Sequence, residues 1–185
     1  MVDQEKVARA CRLLLEGIGE DPDRPGLVET PDRVARMYAE LMAGMGDDAS
    51  EHLARTFEVP ANDLVVERDI PFRSLCEHHL LPFFGTAAIG YVPNGRVAGL
   101  SKLARTVEVF SHRLQLQEQL TAQIADALME HLEPQGVIVY MEAEHLCMTM
   151  RGVRKPGAKT ATCARRGAFA EDPALERRFF DLLGR

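Results

Sequence analysis

The sequence predicts an α+β fold, with a helical N-terminal arm and a body of two strands, two helices and two strands in that order. Three observations lead to this class. Apolar residues recur at helical spacing through roughly the first fifty positions, turn strand-like after Leu64, and return to helical spacing between Ser101 and Leu128. The 185 residues are 46% hydrophobic and 27% charged, which supplies a packed core and leaves no room for a wholly disordered chain. No internal repeat or low-complexity tract breaks the pattern. The chain therefore reads as one functional unit, an arm over residues 1–60 and a body over residues 61–185.

Taken in order, Val7, Ala10, Cys11, Leu14, Leu15 and Ile18 form a helical stripe that stops at Gly17 and Gly19. Cys11 lies within that stripe and reads as core. The cluster Asp21-Pro-Asp-Arg-Pro-Gly is a turn. Thr30 and Pro31 read as an N-cap and a first-turn proline, opening a helix that runs towards Met42 and carries Arg33 and Arg36 on one face. Leu64–Val66 with Ile70–Phe72 predicts a strand, and Thr86–Val92 a second. Pro93-Asn94-Gly95 is a turn signal. Ser101 reads as the cap of a helix containing Leu103, Val107 and Phe110. Leu116, Leu120, Ile124 and Leu128 form the next helix. Val137–Met141 and the stretch around Thr160–Cys163 are the last strands, and Asp172-Pro173 opens a terminal helix through Phe180.

Charge excludes some functions. Lys plus Arg is 22 against 28 Asp plus Glu, a net charge of -6, which disfavours non-specific nucleic-acid binding. No run approaches the roughly 18 apolar residues of a membrane span. The opening Met-Val-Asp-Gln-Glu-Lys has no apolar signal stretch, so a cytoplasmic protein without nucleic-acid or membrane partners is expected. In a reducing compartment Cys11, Cys76, Cys147 and Cys163 are core residues, reactive thiols or metal ligands rather than disulfides.

Two of the four have histidine neighbours. Cys76-Glu-His-His places a thiol and an imidazole three residues apart, a spacing that can close on one zinc ion. Glu144-His-Leu-Cys147 follows the third strand of the body and offers a further ligand. Two thiolates and one imidazole leave one coordination position open, the pattern of a catalytic zinc rather than a structural one. A surface His-His pair and a chance Cys-x-x-His are the competing readings, and spacing alone leaves them standing.

Basic residues gather near these motifs. Ser101-Lys-Leu-Ala-Arg105 opens a helix after a strand, where backbone N–H groups attract anions, and no G-x-x-x-x-G-K-[ST] loop is present. Arg151, Arg154, Lys155 and Lys159 follow the second half-motif. A solvated charged surface explains any one of them equally well. Glu118, in the first turn of its helix, either favours the helix N-terminus or accepts two hydrogen bonds from a guanine-type edge.

Several segments together resemble the GTP cyclohydrolase I family. They are Glu29-Thr-Pro-Asp-Arg-Val-Ala-Arg-Met, Ser74-Leu-Cys-Glu-His-His-Leu-Leu-Pro-Phe-Phe-Gly, Gly99-Leu-Ser-Lys-Leu-Ala-Arg, Gln115-Leu-Gln-Glu and Glu142-Ala-Glu-His-Leu-Cys-Met-Thr-Met-Arg-Gly-Val-Arg-Lys-Pro-Gly. They lie in family order from about Val7 to Phe169; the N-terminal extension of longer members is missing, and Leu116 and Gln119 depart from common family choices. The resemblance implies zinc-dependent opening of the GTP purine ring at C8, release of formate and rearrangement to 7,8-dihydroneopterin triphosphate, the first step of tetrahydrofolate and pterin biosynthesis. It implies Cys76, His79 and Cys147 as zinc ligands, His78 and His145 as proton-handling groups, and Ser101 at the ribose. Glu118 with Gln117 would hold the guanine edge. Lys102 would contact the ribose–phosphate region, and Arg105 and Arg151, with Arg33 and Arg36 from a neighbouring subunit, would hold the triphosphate. It further implies a tunnelling fold with a ββααββ core, its antiparallel sheets joined into β-barrel rings, and a homodecamer of two stacked pentamers. Two rivals remain at this stage: a same-fold nitrile reductase with a thiol nucleophile, and a zinc-stabilised binding protein without turnover.

Overall fold

The computed structural model describes residues 1–60 and 62–185 of the chain. Helices α1 (Gln4–Gly17), α2 (Thr30–Leu41) and the single turn α3 (Ser50–Leu53) come first, then strands β1 (Thr56–Glu58), β2 (Val65–Cys76), β3 (Pro82–Val92) and β4 (Arg96–Ala98). Helix α4 (Leu100–Ser111), strand β5 (Leu114–Gln115) and helix α5 (Gln117–Leu132) follow. The chain closes with β6 (Gly136–His145), α6 (Leu146–Thr149), β7 (Lys159–Gly167), α7 (Ala168–Glu171) and α8 (Pro173–Leu183). The mixed α+β class expected from periodicity is the observed one. The long body elements run β2, β3, α4, α5, β6, β7, with the short strands β1, β4 and β5 added between them.

Five strands form the main sheet in the order β5-β2-β3-β6-β7. The three long pairings are antiparallel, and β5 is parallel to β2 through Leu75↔Leu114 and Cys76↔Gln115. β4 does not fold back on β3 after the Pro93–Gly95 turn. It pairs with β1 instead, Phe57 opposite Val97.

Alternation along the strands builds two cores. Ile70, Phe72 and Cys76 of β2, Phe83, Ala87, Ile89 and Tyr91 of β3, and Val137, Val139, Met141 and Ala143 of β6 face one side. There α4 and α5 cover them with Leu103, Val107, Leu120, Ile124 and Leu128, all essentially inaccessible. The opposite face carries Ala88 and Ile138 and is closed by Phe169, Leu175 and Phe179. Gly90 makes that closure feasible, because a Cβ there would lie 2.6 Å from the Phe179 ring.

Three local expectations need correction. Thr30 is the first residue of α2 rather than its cap, and Glu29 precedes it without a side-chain capping bond. Gly99, not Ser101, occupies the cap position of α4, so Ser101 sits inside the first turn. A glycine in extended backbone there ends the strand equally well, and the serine hydroxyl is left outward. Cys11 is half-buried, not core, because α1 packs on α2 and little else: only Leu15 of α1 is buried, while Leu13, Leu14 and Ile18 are exposed. Asp172 does cap α8, accepting from Ala174 N at 2.8 Å.

The arm is tied to the body at few points. Ala49 and Leu53 enter the main core. Arg113 donates to the carbonyls of Gly44 at 2.7 Å and Asp47 at 2.6 Å. Between α1, α2, Leu80 and Leu114 lies an open apolar groove of about 940 Å³. No helix of the described residues is long and apolar enough to cross a membrane.

Candidate active site

Cys76 ends β2, and the chain reverses directly after it. Its carbonyl accepts from Leu80 N at 2.9 Å and His79 N at 3.3 Å, and its N–H donates to Leu81 O at 2.9 Å. Leu80 takes a φ of 54° to complete the turn. The reversal brings His79 back over Cys76, with Nδ1 3.9 Å from Sγ. Cys147 reaches the same point from the other side. β6 delivers the chain beside β3, with His145 opposite Phe83, and the α6 turn then swings Cys147 inward.

The ligand atoms of Cys76, His79 and Cys147 all lie within 4.8 Å of one another. A tetrahedral ion held by sulfurs at about 2.3 Å and nitrogen at about 2.0 Å needs donors about 3.5–3.8 Å apart. Small side-chain rotations close that difference, so the donor set fits a metal ion of the zinc type. Burial, and the Cys76 sulfur beside it, push the Cys147 thiol up. Two sulfurs facing each other in this way are relieved by a cation between them.

His145 stands next to the cluster on the core side of the sheet. Its ring stacks on Phe83 with centroids 4.6 Å apart and planes 1° from parallel. Burial pushes its pKa down, opposed by the charge of Glu118. Its Nε2 is 2.7 Å from Gln117 Oε1. Gln117 is buried at 1% exposure, and its Nε2 reaches Met141 O, Thr160 O and Thr162 Oγ1 at 3.2, 3.0 and 3.1 Å. Glu118, next in α5, is exposed. His78 is also exposed, with Nε2 3.7 Å from Glu77 Oε1. Arg151 donates to His79 Nε2 at 2.7 Å. A guanidinium only donates, so that nitrogen accepts and the ring proton sits on Nδ1 in this arrangement.

One chain brings together Cys76, His78, His79, Gln117, Glu118, His145, Cys147 and Arg151. It does not bring the remaining anion-binding candidates to them. Arg105 lines a separate cleft of about 320 Å³ with Ile70, Phe72, Arg73 and His112. That cleft lies three to six residues back along β2 from Cys76, about 10–20 Å at strand rise. Ser101 and Lys102 lie one turn further towards the start of α4. Arg33 and Arg36 are exposed on α2, with Arg33 paired to Glu29.

Sequence reasoning missed Phe83, Thr121 and Thr162. A signal for Phe83 and for Thr162 was present. Phe83 and His145 are alternation mates of the core-facing residues of β3 and β6. Thr160 and Thr162 are two apart, hence on one face of β7.

The family pattern described as GTP cyclohydrolase I matches residues 7–184. GTP cyclohydrolase 1 of Clostridium perfringens strain 13 is 60% identical over 183 residues, covering 99% of both chains. The enzyme of the same name from Carboxydothermus hydrogenoformans is 59% identical over 185 residues, covering 100% of this chain and 96% of its own, and that of Finegoldia magna is 56% identical over 183 residues, covering 99% and 100%. A crystal structure of the archaeosine synthase QueF-Like in the apo form overlaps 60% of this chain and 98% of its own, at 18% identity and a TM-score of 0.49. The full-length match at this identity leaves one conclusion: the chain belongs to the GTP cyclohydrolase I family and is an enzyme of that family.

Proposed function

We propose that this enzyme opens the purine ring of GTP at C8, releases formate and rearranges the remainder to 7,8-dihydroneopterin triphosphate. The observation that carries this reading is the convergence of Cys76, His79 and Cys147 from two separate hairpin ends, with His78, His145 and Glu118 beside them. Three donors leave a coordination position free, which argues for chemistry rather than a purely structural metal.

Zinc bound by these three residues supplies Lewis-acid activation of water near neutral pH. His78, exposed next to the cluster, delivers a proton to N7 and makes C8 a better electrophile. His145 handles protons on the core side, where Phe83 and Gln117 hold its ring. Ser101 acts on the ribose hydroxyls as the sugar opens and rearranges. Glu118 accepts two hydrogen bonds from the guanine N–H edge, and a charged acceptor strengthens both. The Gln117 side chain is committed to the interior, so its contribution to the base comes through the first-turn N–H groups of α5, which have no acceptor within the helix. Lys102, Arg105 and Arg151 neutralise the about four negative charges of the triphosphate. Arg151 gives up its contact with His79 to do so. Binding at the phosphates, remote from C8, orients the reacting ring.

Ser101, Lys102 and Arg105 lie away from the cluster within one chain, and Arg33 and Arg36 lie on the arm. A homodecamer of two stacked pentamers, with T-fold sheets joined edge to edge, supplies them from neighbouring subunits. The uncovered edge of β7 and the apolar groove beside α1 and α2 favour that assembly.

The test is incubation of the purified protein with GTP, with formate measured and pterin fluorescence followed after oxidation. Turnover that stops with a strong chelator and returns with zinc supports the reading. Full turnover in metal-free protein, or binding of GTP without formate release, overturns it. Sedimentation at the mass of a single chain would overturn the shared site.

A further inference from the structure

Gln117 stands in the fold as a holder of His145. We infer that it is a positioning residue that keeps the His145 proton on Nε2 and leaves Nδ1 as the only basic ring nitrogen. This inference rests on the reading of His145 as a proton-handling group.

The inference follows from counting donors and acceptors. Gln117 Nε2 lies within hydrogen-bonding distance of two backbone carbonyls, Met141 O at 3.2 Å and Thr160 O at 3.0 Å. Carbonyls only accept, so the amide nitrogen must face them; the reverse amide orientation would set oxygen against oxygen. The third neighbour, Thr162 Oγ1 at 3.1 Å, is consistent with this. Thr121 Oγ1 donates to Gln117 O at 2.7 Å and lies 2.6 Å from Thr162 Oγ1. With the Thr121 proton spent on that carbonyl, the Thr162 hydroxyl donates to Thr121 and accepts from Gln117. Each hydroxyl proton then has one place, and the two amide protons of Gln117 are shared among its three acceptors.

The amide oxygen is therefore the atom turned to His145 Nε2, at 2.7 Å. A neutral ring nitrogen opposite an acceptor must carry the hydrogen. Phe83 stacks flat on the ring and opposes the ring flip that would set a ring carbon in place of Nε2 opposite Gln117. Gln117 is the first residue of α5 and Glu118 the second, so the same helix start that presents a carboxylate outward fixes an imidazole inward. At 1% exposure, the Gln117 side chain is a fixed part of the interior.

The experiment uses full-length, zinc-loaded protein and compares wild type, Gln117→Leu, Thr162→Val and His145→Ala. Nitrogen NMR of histidine-labelled protein, with His145 assigned by its loss in His145→Ala, is expected to show a protonated Nε2 and an unprotonated Nδ1 in wild type. Gln117→Leu is expected to show a mixture of tautomers. Its kcat should fall on the order of 10²-fold, with KM for GTP and zinc content within about twofold. Thr162→Val should lower kcat in the same direction by about 2- to 10-fold. A proton on Nδ1 in wild type, or an unchanged tautomer in Gln117→Leu, overturns the inference. A raised KM at constant kcat also overturns it, since Gln117 would then grip substrate directly. Normal turnover by His145→Ala overturns the reading of His145 itself, and the tautomer measurement tells that failure apart from a failure of Gln117 as its holder.

Discussion

Phe83 and His145 face each other across β3 and β6, and their rings stack at 4.6 Å and 1°. Cross-strand partners on one sheet face meet in this way as a matter of register. The stack ties the first core residue of β3 to the last residue of β6, just where the chain turns towards Cys147. Phe83→Ala is expected to cost about 3–5 kcal/mol in urea unfolding, because the side chain is completely buried. Turnover should fall further than metal content does. A variant with normal stability and rate would remove Phe83 from the site.

Removing one sulfur donor separates metal binding from the rest of the site. Cys147→Ser and Cys76→Ser are expected to lose the metal and GTP turnover together, with the fold retained by circular dichroism. His78→Ala is expected to keep the metal and lose ring opening, seen as persistence of the purine absorbance. Metal analysis beside the kinetic trace checks both, and a metal-free serine variant that turns over at the normal rate contradicts the assignment.

Selection for guanine is the role proposed for Glu118. Hydrogen bonds to a charged acceptor are worth about 1.5–3 kcal/mol, so Glu118→Ala should weaken GTP binding by about 10- to 100-fold. Binding of ATP should change little. Calorimetry with both nucleotides decides, and an unaltered preference for GTP moves the base pocket elsewhere.

Glu142 gives a pH signature remote from the cluster. Arg185 donates to its carboxylate at 3.0 Å and Lys159 at 3.1 Å, which holds the Glu142 pKa down at about 2. A carboxyl whose folded pKa is lowered stabilises the fold above its unfolded value of about 4.5, and that contribution fades as pH falls towards 2. Arg185→Ala should therefore be less stable than wild type at neutral pH, with the gap narrowing between about pH 4.5 and pH 2. Melting temperatures across that range check it. A constant gap at every pH would assign the loss to the packing of Arg185 on the Tyr140 ring, 4.8 Å from its centroid, instead.

The second core depends on an absent side chain. A Cβ at position 90 would press on the Phe179 ring at 2.6 Å and on Ile138 at 2.8 Å. Gly90→Ala is expected to destabilise by about 1–3 kcal/mol through overpacking. Phe179→Leu in the same chain should recover part of the loss, and a double-mutant cycle by urea titration measures the recovery. Additive losses would mean that the two residues do not meet.

Much of this protein was legible before any coordinates. The change from helical to strand periodicity at Leu64 and back at Ser101 marks real element boundaries, because each element buries one face and the spacing of apolar residues follows from that. The Cys76, His79 and Cys147 group was legible as chemistry, since thiols beside imidazoles are rare enough to draw attention. Caps were read less well. Thr30 and Ser101 are one or two residues off, because several residue types satisfy a helix start and the backbone chooses among them.

What tertiary structure alone decided is where the side chains of these motifs meet. Cys76 and Cys147 are 71 positions apart, and only the pairing of β3 with β6 carries them to one place. Gln117 reads as a substrate contact in sequence because it precedes Glu118, yet the start of α5 is set against β6 and β7, and a buried amide there must satisfy the polar groups it finds. Periodicity is a local property and survives in a string of letters. Which donor faces which acceptor depends on the register of strands distant in sequence, and a string of letters does not carry it.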